Sequence, residues 1–154
     1  MQVVETGTAL SQIAVCGEGA APGSEGAKRC ARILSVSPYH FDHNILHEIL
    51  NGSHWHLVTA YSWLEAVERL GKDAYLAVFC EYAWANRTWR DLLHKVSTSQ
   101  GLPILVVMSR SADEDLWANV IELGAYDLLE KPLNVRDVLD VLMSACHYRT
   151  GPRG

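Results

Sequence analysis

Four side chains able to carry or meet charge stand just beyond largely apolar runs of the chain. Ser37 follows Ile33-Leu34-Ser35-Val36, Glu81 follows Leu76-Ala77-Val78-Phe79-Cys80, Ser109 follows Ile104-Leu105-Val106-Val107-Met108, and Lys131 follows Leu128-Leu129-Glu130. A carboxylate and an ammonium brought together make a charge-assisted hydrogen bond. A second set is His40, His43, His47, His54 and His56, of which positions 43 and 47 share a face if that segment is helical. No accompanying cysteine and no H-E-x-x-H pattern gives those histidines a metal geometry, so they are expected to be solvated or internally satisfied, and no metal site is assigned. Cys80, inside an apolar run, reads as an inert buried thiol. Cys16, Cys30, Cys80 and Cys146 form no C-x-x-C, which suits reduced thiols and a cytoplasmic setting.

The elements that must position these groups alternate in type. Short β-type runs at 33–36, 55–59, 76–80, 104–108 and about 127–129 each precede a segment with apolar residues at helical spacing. Phe41, Ile45, Leu46, Ile49 and Leu50 mark the first helix, closed by Asn51-Gly52. Leu64, Val67 and Leu70 mark the second, with Ser62 as its cap and Gly71 as its end. Trp89, Leu92, Leu93 and Val96 mark the third, and a fourth runs from about Ala112 to Leu123, capped by Gly124. Val135, Val138, Leu139, Leu142 and Met143 stripe the last. The pattern predicts an α/β fold with a doubly wound, five-stranded parallel sheet between helices. In such sheets ligands bind beyond the C-terminal strand ends, near the point where strand order reverses, which directs attention to Ser37, Glu81, Ser109 and Lys131.

Composition narrows the function. The 154 residues carry 13 Lys plus Arg against 18 Asp plus Glu, a formal charge of -5, which gives no electrostatic footprint for a phosphate backbone, so no nucleic-acid partner is expected. No stretch approaches the roughly 18 apolar residues of a membrane-spanning helix. Phosphate-loop, G-x-G-x-x-G and G-x-S-x-G motifs are absent. Residues 1–28, rich in Gly, Ala, Ser and Glu, read as a flexible tail, 29–148 as one domain, and 149–154 as a short C-terminal tail with no effector domain after it.

From Arg32 to His147 the chain resembles the receiver domains of bacterial response regulators. The resemblance is carried by Pro103-Ile104-Leu105-Val106-Val107-Met108-Ser109 and Gly124-Ala125-Tyr126-Asp127-Leu128-Leu129-Glu130-Lys131-Pro132, and by the spacing from Ser109 to Lys131. It implies a flavodoxin-like, CheY-like (βα)5 three-layer sandwich, a cis bond at Lys131-Pro132, and a contact surface formed by the fourth helix, fifth strand and fifth helix. Receivers carry an acidic pair after the first strand and an aspartate after the third, which together hold magnesium and accept a phosphoryl group from a histidine kinase.

The chain departs from that pattern at the chemistry. Ser37 and Pro38 stand where the acidic pair belongs, and neither offers a carboxylate. Matching Tyr75–Cys80 to the third strand places Glu81 at the phosphoacceptor position; a second register, needing a one-residue shift in the next helix, places Cys80 there. Magnesium favours one or two carboxylates together with phosphate, and this set is poor in them. Asp42, four residues past Pro38, is a stray candidate ligand, but a helix-start aspartate is more often a cap. Lys131 is expected to pair permanently with Glu81, although an ordinary strand-end ion pair has the same sequence. Ser109 either closes a turn or senses the charge. Leu128 stands where the family's switch aromatic belongs.

These residues suggest a stand-alone degenerate receiver, a pseudo-receiver without enzymatic activity or cofactor, acting as a protein-interaction module of two-component phosphorelay signalling. Its partner would be a histidine kinase, a downstream regulator or a second copy of the chain. Five tryptophans exceed what such a core needs, so Trp84 and Trp117 are candidates for the partner surface, with packing on their own helices as the alternative. Two rivals are open: a receiver phosphorylated at a non-standard site, and a small flavodoxin-like cofactor carrier.

Overall fold

The computed structural model describes residues 31–84 and 87–150. Its elements in chain order are β1 (Arg32–Val36), α1 (His40–Leu50), β2 (His56–Ala60), α2 (Trp63–Lys72), β3 (Ala77–Glu81), β4 (Ala83–Trp84), β5 (Arg87–Thr88), α3 (Trp89–Val96), β6 (Ile104–Ser109), α4 (Glu114–Leu123), β7 (Asp127–Glu130) and α5 (Val135–Thr150). Five strands pair in the order β2-β1-β3-β6-β7, all parallel. The chain leaves β1 toward β2 on one side and then crosses to β3 on the other. The crevice beyond the C-terminal ends of β1 and β3 is therefore the switch point.

Successive residues of the buried strands serve opposite faces. Ile33, Ala77, Phe79, Val106 and Met108 pack with α1 and α5 residues such as Leu46, Leu50, Val138 and Leu142. Leu34, Val78, Cys80, Leu105 and Val107 pack with α2, α3 and α4 residues, among them Leu70, Trp89, Leu92 and Val120. This period of two across a sheet covered on both sides explains why the strands read as unbroken apolar runs.

The helix boundaries follow local chemistry. The Ser62 side chain accepts from Glu65 N at the start of α2, and Gly124, at φ 121, ends α4, both as expected. Asp113 caps α4 by accepting from Leu116 N. The α2 helix passes through Gly71 and ends on Asp73, whose N–H bonds to Arg69 O; a glycine stops a helix only where the chain turns left-handed, and Gly71 does not. The two-residue strands β4 and β5 form an antiparallel pair with no counterpart in the sequence pattern, being too short for any periodicity. They lead into the capping box of Thr88 and Asp91 that starts α3.

The last helix extends to Thr150, past the expected boundary at 148, while the expected tail at 1–28 lies outside the described residues. Cys146 is disulfide-bonded, which corrects the expectation of four reduced thiols. That bond depends on two sulfurs meeting in space, which spacing along the chain does not reveal. Among the described residues no helix is long and apolar enough to cross a membrane.

Candidate functional site

The switch-point crevice holds a buried ion triad. Glu81, the last residue of β3, and Lys131, the first after β7, meet through Glu81 Oε1 and Lys131 Nζ. The same ammonium donates to Asp42 Oδ2 at 3.0 Å. Side-chain exposure is 4% for Lys131, 3% for Asp42 and 12% for Glu81, so water does little of the solvation. The Tyr39 ring lies 5.0 Å from Nζ, within cation–π range. Two carboxylates and an aromatic face thus surround an ammonium that has three N–H donors.

Asp42 is not the helix cap that its position suggests. The N-cap of α1 is Tyr39, which makes no side-chain cap bond, and Asp42 sits inside the first turn facing the crevice. There it also accepts the Ser37 hydroxyl at 2.7 Å, while Ser37 Oγ accepts from Tyr39 N at 3.0 Å. Ser37 therefore reaches the site as a carboxylate-orienting hydroxyl, and its neighbour Pro38 lies on the exposed loop.

The crevice thus has two acids, Glu81 and Asp42, where the sequence offered one at the strand ends and Asp42 only as a stray candidate. Their hard oxygens are the right type for magnesium, which needs near-octahedral oxygen donors at about 2.0–2.1 Å. In this arrangement, however, both carboxylates already converge on an ammonium, and Ser37 directs its proton at Asp42. A divalent cation beside Lys131 would meet strong like-charge repulsion at contact distance. The pocket so arranged does not fit the metal.

The two acceptor registers are also separated. Cys80 is fully buried in the core on the α2–α4 side, and burial pushes its thiol pKa well above the usual value. Glu81 is the residue that faces the crevice. Ser109 accepts from Ser111 N at 3.1 Å, and its carbonyl accepts from Lys131 N at 2.9 Å, so it closes the turn and registers β7 rather than joining the triad. Leu128 is buried in the core.

Behind the triad stands His43, a residue that sequence reasoning left among the unassigned histidines. Its Nε2–H donates to Ser37 O at 2.8 Å, which leaves Nδ1 to accept from the Ser35 hydroxyl at 2.8 Å. Its ring packs on Tyr61 at 4.3 Å between centroids, and the Tyr61 hydroxyl meets His40 Nδ1 at 2.8 Å. Desolvation lowers the His43 pKa and outweighs the Ser37 carbonyl and Asp42, which act to raise it. Among the described residues no group of three or more His, Cys, Asp or Glu is placed to hold a metal ion.

The candidate partner residues divide. Trp117 on α4 is 49% exposed, and its Nε1–H donates to Asp127 Oδ1 at 3.1 Å. Trp84 is only 7% exposed and packs into the core, so it presents no surface; aromatic type alone did not distinguish the two.

No family model and no curated protein matches the sequence. Solved structures do match in fold. The chemotaxis protein CheY4 of Vibrio cholerae superposes with a TM-score of 0.67 at 17% identity, over 76% of this chain and 99% of that one. A CheY-like receiver domain protein of Methanospirillum hungatei gives 0.69 at 16% identity, over 79% and 97%. The beryllofluoride-activated NtrC4 receiver domain dimer gives 0.69 at 20% identity, over 77% and 98%. The fold is that of the CheY-like response regulator receiver domain. The Lys131-Pro132 bond is cis, as the resemblance implies.

Proposed function

We propose that this chain is a degenerate receiver, a protein-interaction module of two-component signalling whose pocket is held in one state without phosphorylation. The observation that carries the reading is the simultaneous engagement of Lys131 by Glu81 and Asp42 in a buried crevice. Phosphoryl transfer depends on positioned, metal-stabilised charge. Here the acceptor position bears a glutamate and the cation's place is taken by the chain's own lysine.

Output would pass through the face formed by α4, β7 and α5. Trp117 stands on it, near the exposed carboxylates of Asp113, Glu114, Glu130 and Asp137. An aromatic side chain among exposed acids suits a partner that brings basic and apolar groups. A histidine kinase, a downstream regulator and a second copy of the chain are the candidate partners, and one fold neighbour was solved as a receiver dimer.

Incubation with a small phosphoryl donor and magnesium, followed by intact-mass measurement, tests the reading. An unchanged mass is expected. An added phosphoryl group would overturn it.

A further inference from the structure

Asp42 lies in the first turn of α1, not in the loop after β1, yet its carboxylate is directed at the same crevice. Two bonds hold it there, from the Ser37 hydroxyl and from Lys131. Its burial at 3% exposure would be costly without them, since an uncompensated buried carboxylate carries a penalty of several kcal/mol. Conversely, Lys131 held by Glu81 alone would keep one strong partner and lose another, leaving its flexible stem freer to swing toward solvent past the half-exposed Tyr39 ring.

We propose that Asp42 is the positioning residue that anchors Lys131 in the crevice as a built-in counter-cation, so that a cation site is filled from within the chain. The two carboxylates both hydrogen-bond to one nitrogen, so their oxygens lie within about 6 Å of each other, a gap that one cation spans. Lys131 offsets one of the two negative charges facing that gap, and the Tyr39 ring and the Ser37 hydroxyl complete the surroundings. The inference rests on the reading of the pocket as a permanent lock and adds the residue that keeps it closed.

The test compares wild-type protein with Asp42→Ala. This variant leaves Lys131 and Glu81 as a neutral pair, so folding is expected. Both proteins are treated briefly with acetic anhydride under native conditions, and acetylation is read lysine by lysine by mass spectrometry, with Lys72 and Lys95 as exposed references and Cys80 alkylation as a monitor of core opening. In the wild type Lys131 is expected to be protected. In Asp42→Ala its labelling is expected to rise at least about tenfold, the effect of losing one charge-assisted partner, while Cys80 stays unreactive. Unchanged Lys131 labelling would overturn the anchoring role, and so would a rise accompanied by Cys80 alkylation, which reports general unfolding. A Mn2+ titration of the wild type provides a second measurement: saturable paramagnetic broadening of the amides of Ser37, Asp42 and Glu81 would overturn the built-in cation. Phosphorylation of the wild type would defeat the functional reading and leave the labelling result standing, so the two failures are distinguishable.

Discussion

Asp42 Oδ2 lies 3.0 Å from Lys131 Nζ across 89 positions of sequence, joining the first turn of α1 to the end of β7. Through that contact the helix α1, packed on one face of the sheet, and the edge strand β7 share one buried charge system with the end of β3.

The triad is expected to be fragile to loss of its one ammonium. Lys131→Met leaves Asp42 and Glu81 facing each other without a counter-charge and should cost about 3–5 kcal/mol of stability, read by urea denaturation at neutral pH. The triple variant Lys131→Met, Asp42→Asn, Glu81→Gln, neutral throughout, should recover most of that loss. Equal instability of the single and triple variants would show that packing, not charge, dominates the site.

Glu81→Gln removes one of the two carboxylates. Amide hydrogen exchange at Glu81, Ser109 and Lys131 is then expected to accelerate by about tenfold, while exchange in the core of β1 stays as it was. If affinity for a partner is also measured, it should change. Identical exchange in both proteins would argue that Glu81 is only an ordinary strand-end acid.

His43 makes stability depend on pH. Its folded pKa is lowered below 6.5 by desolvation, so the unfolded chain binds more protons between the two values. The contribution is complete above about pH 6.5 and is lost as pH falls toward the folded pKa, with a slope of at most about 1.4 kcal/mol per pH unit. The groups facing it are Ser35, the Ser37 carbonyl, Tyr61, Asp42, His40 and Glu65. Urea titrations between about pH 7 and pH 5 on wild type and His43→Gln should differ in slope over that window; parallel curves would contradict the assignment.

The tryptophans should separate cleanly. Trp89 is 1% exposed, and Trp89→Ala is expected to cost about 3–5 kcal/mol. Trp117→Ala removes a half-exposed ring and its bond to Asp127, and should cost about 1 kcal/mol or less while weakening partner binding or self-association. A Trp117→Ala protein as unstable as Trp89→Ala, or one that associates normally, would remove this residue from the proposed surface.

Strand ends were legible because buried parallel strands leave long apolar runs and the first polar residue after each must sit at the sheet's edge. Ser37, Glu81 and Ser109 were located in this way, whereas Lys131 follows the polar Glu130 and was marked by the Lys131-Pro132 motif of the resemblance. Asp42 was named only as a stray candidate and His43 was left unassigned, because within a helix the direction of a side chain depends on the helix's rotation against the sheet. An aspartate near a helix start has the same local pattern whether it caps the helix or enters a pocket. The hairpin of β4 and β5 and the burial of Trp84 escaped for a related reason: two-residue strands have no period, and a tryptophan's size does not say which neighbour covers it.

The amino-acid order alone determined the alternation of strands and helices, the residues at the strand ends and the absence of carboxylates at positions 37 and 38, since these follow from local periodicity and residue type. Only the tertiary structure decided that Asp42 supplies an acid from α1, that Lys131 is shared between two carboxylates and that Ser109 closes a turn. Those outcomes depend on distances between segments far apart in the chain, which packing sets and local pattern does not encode.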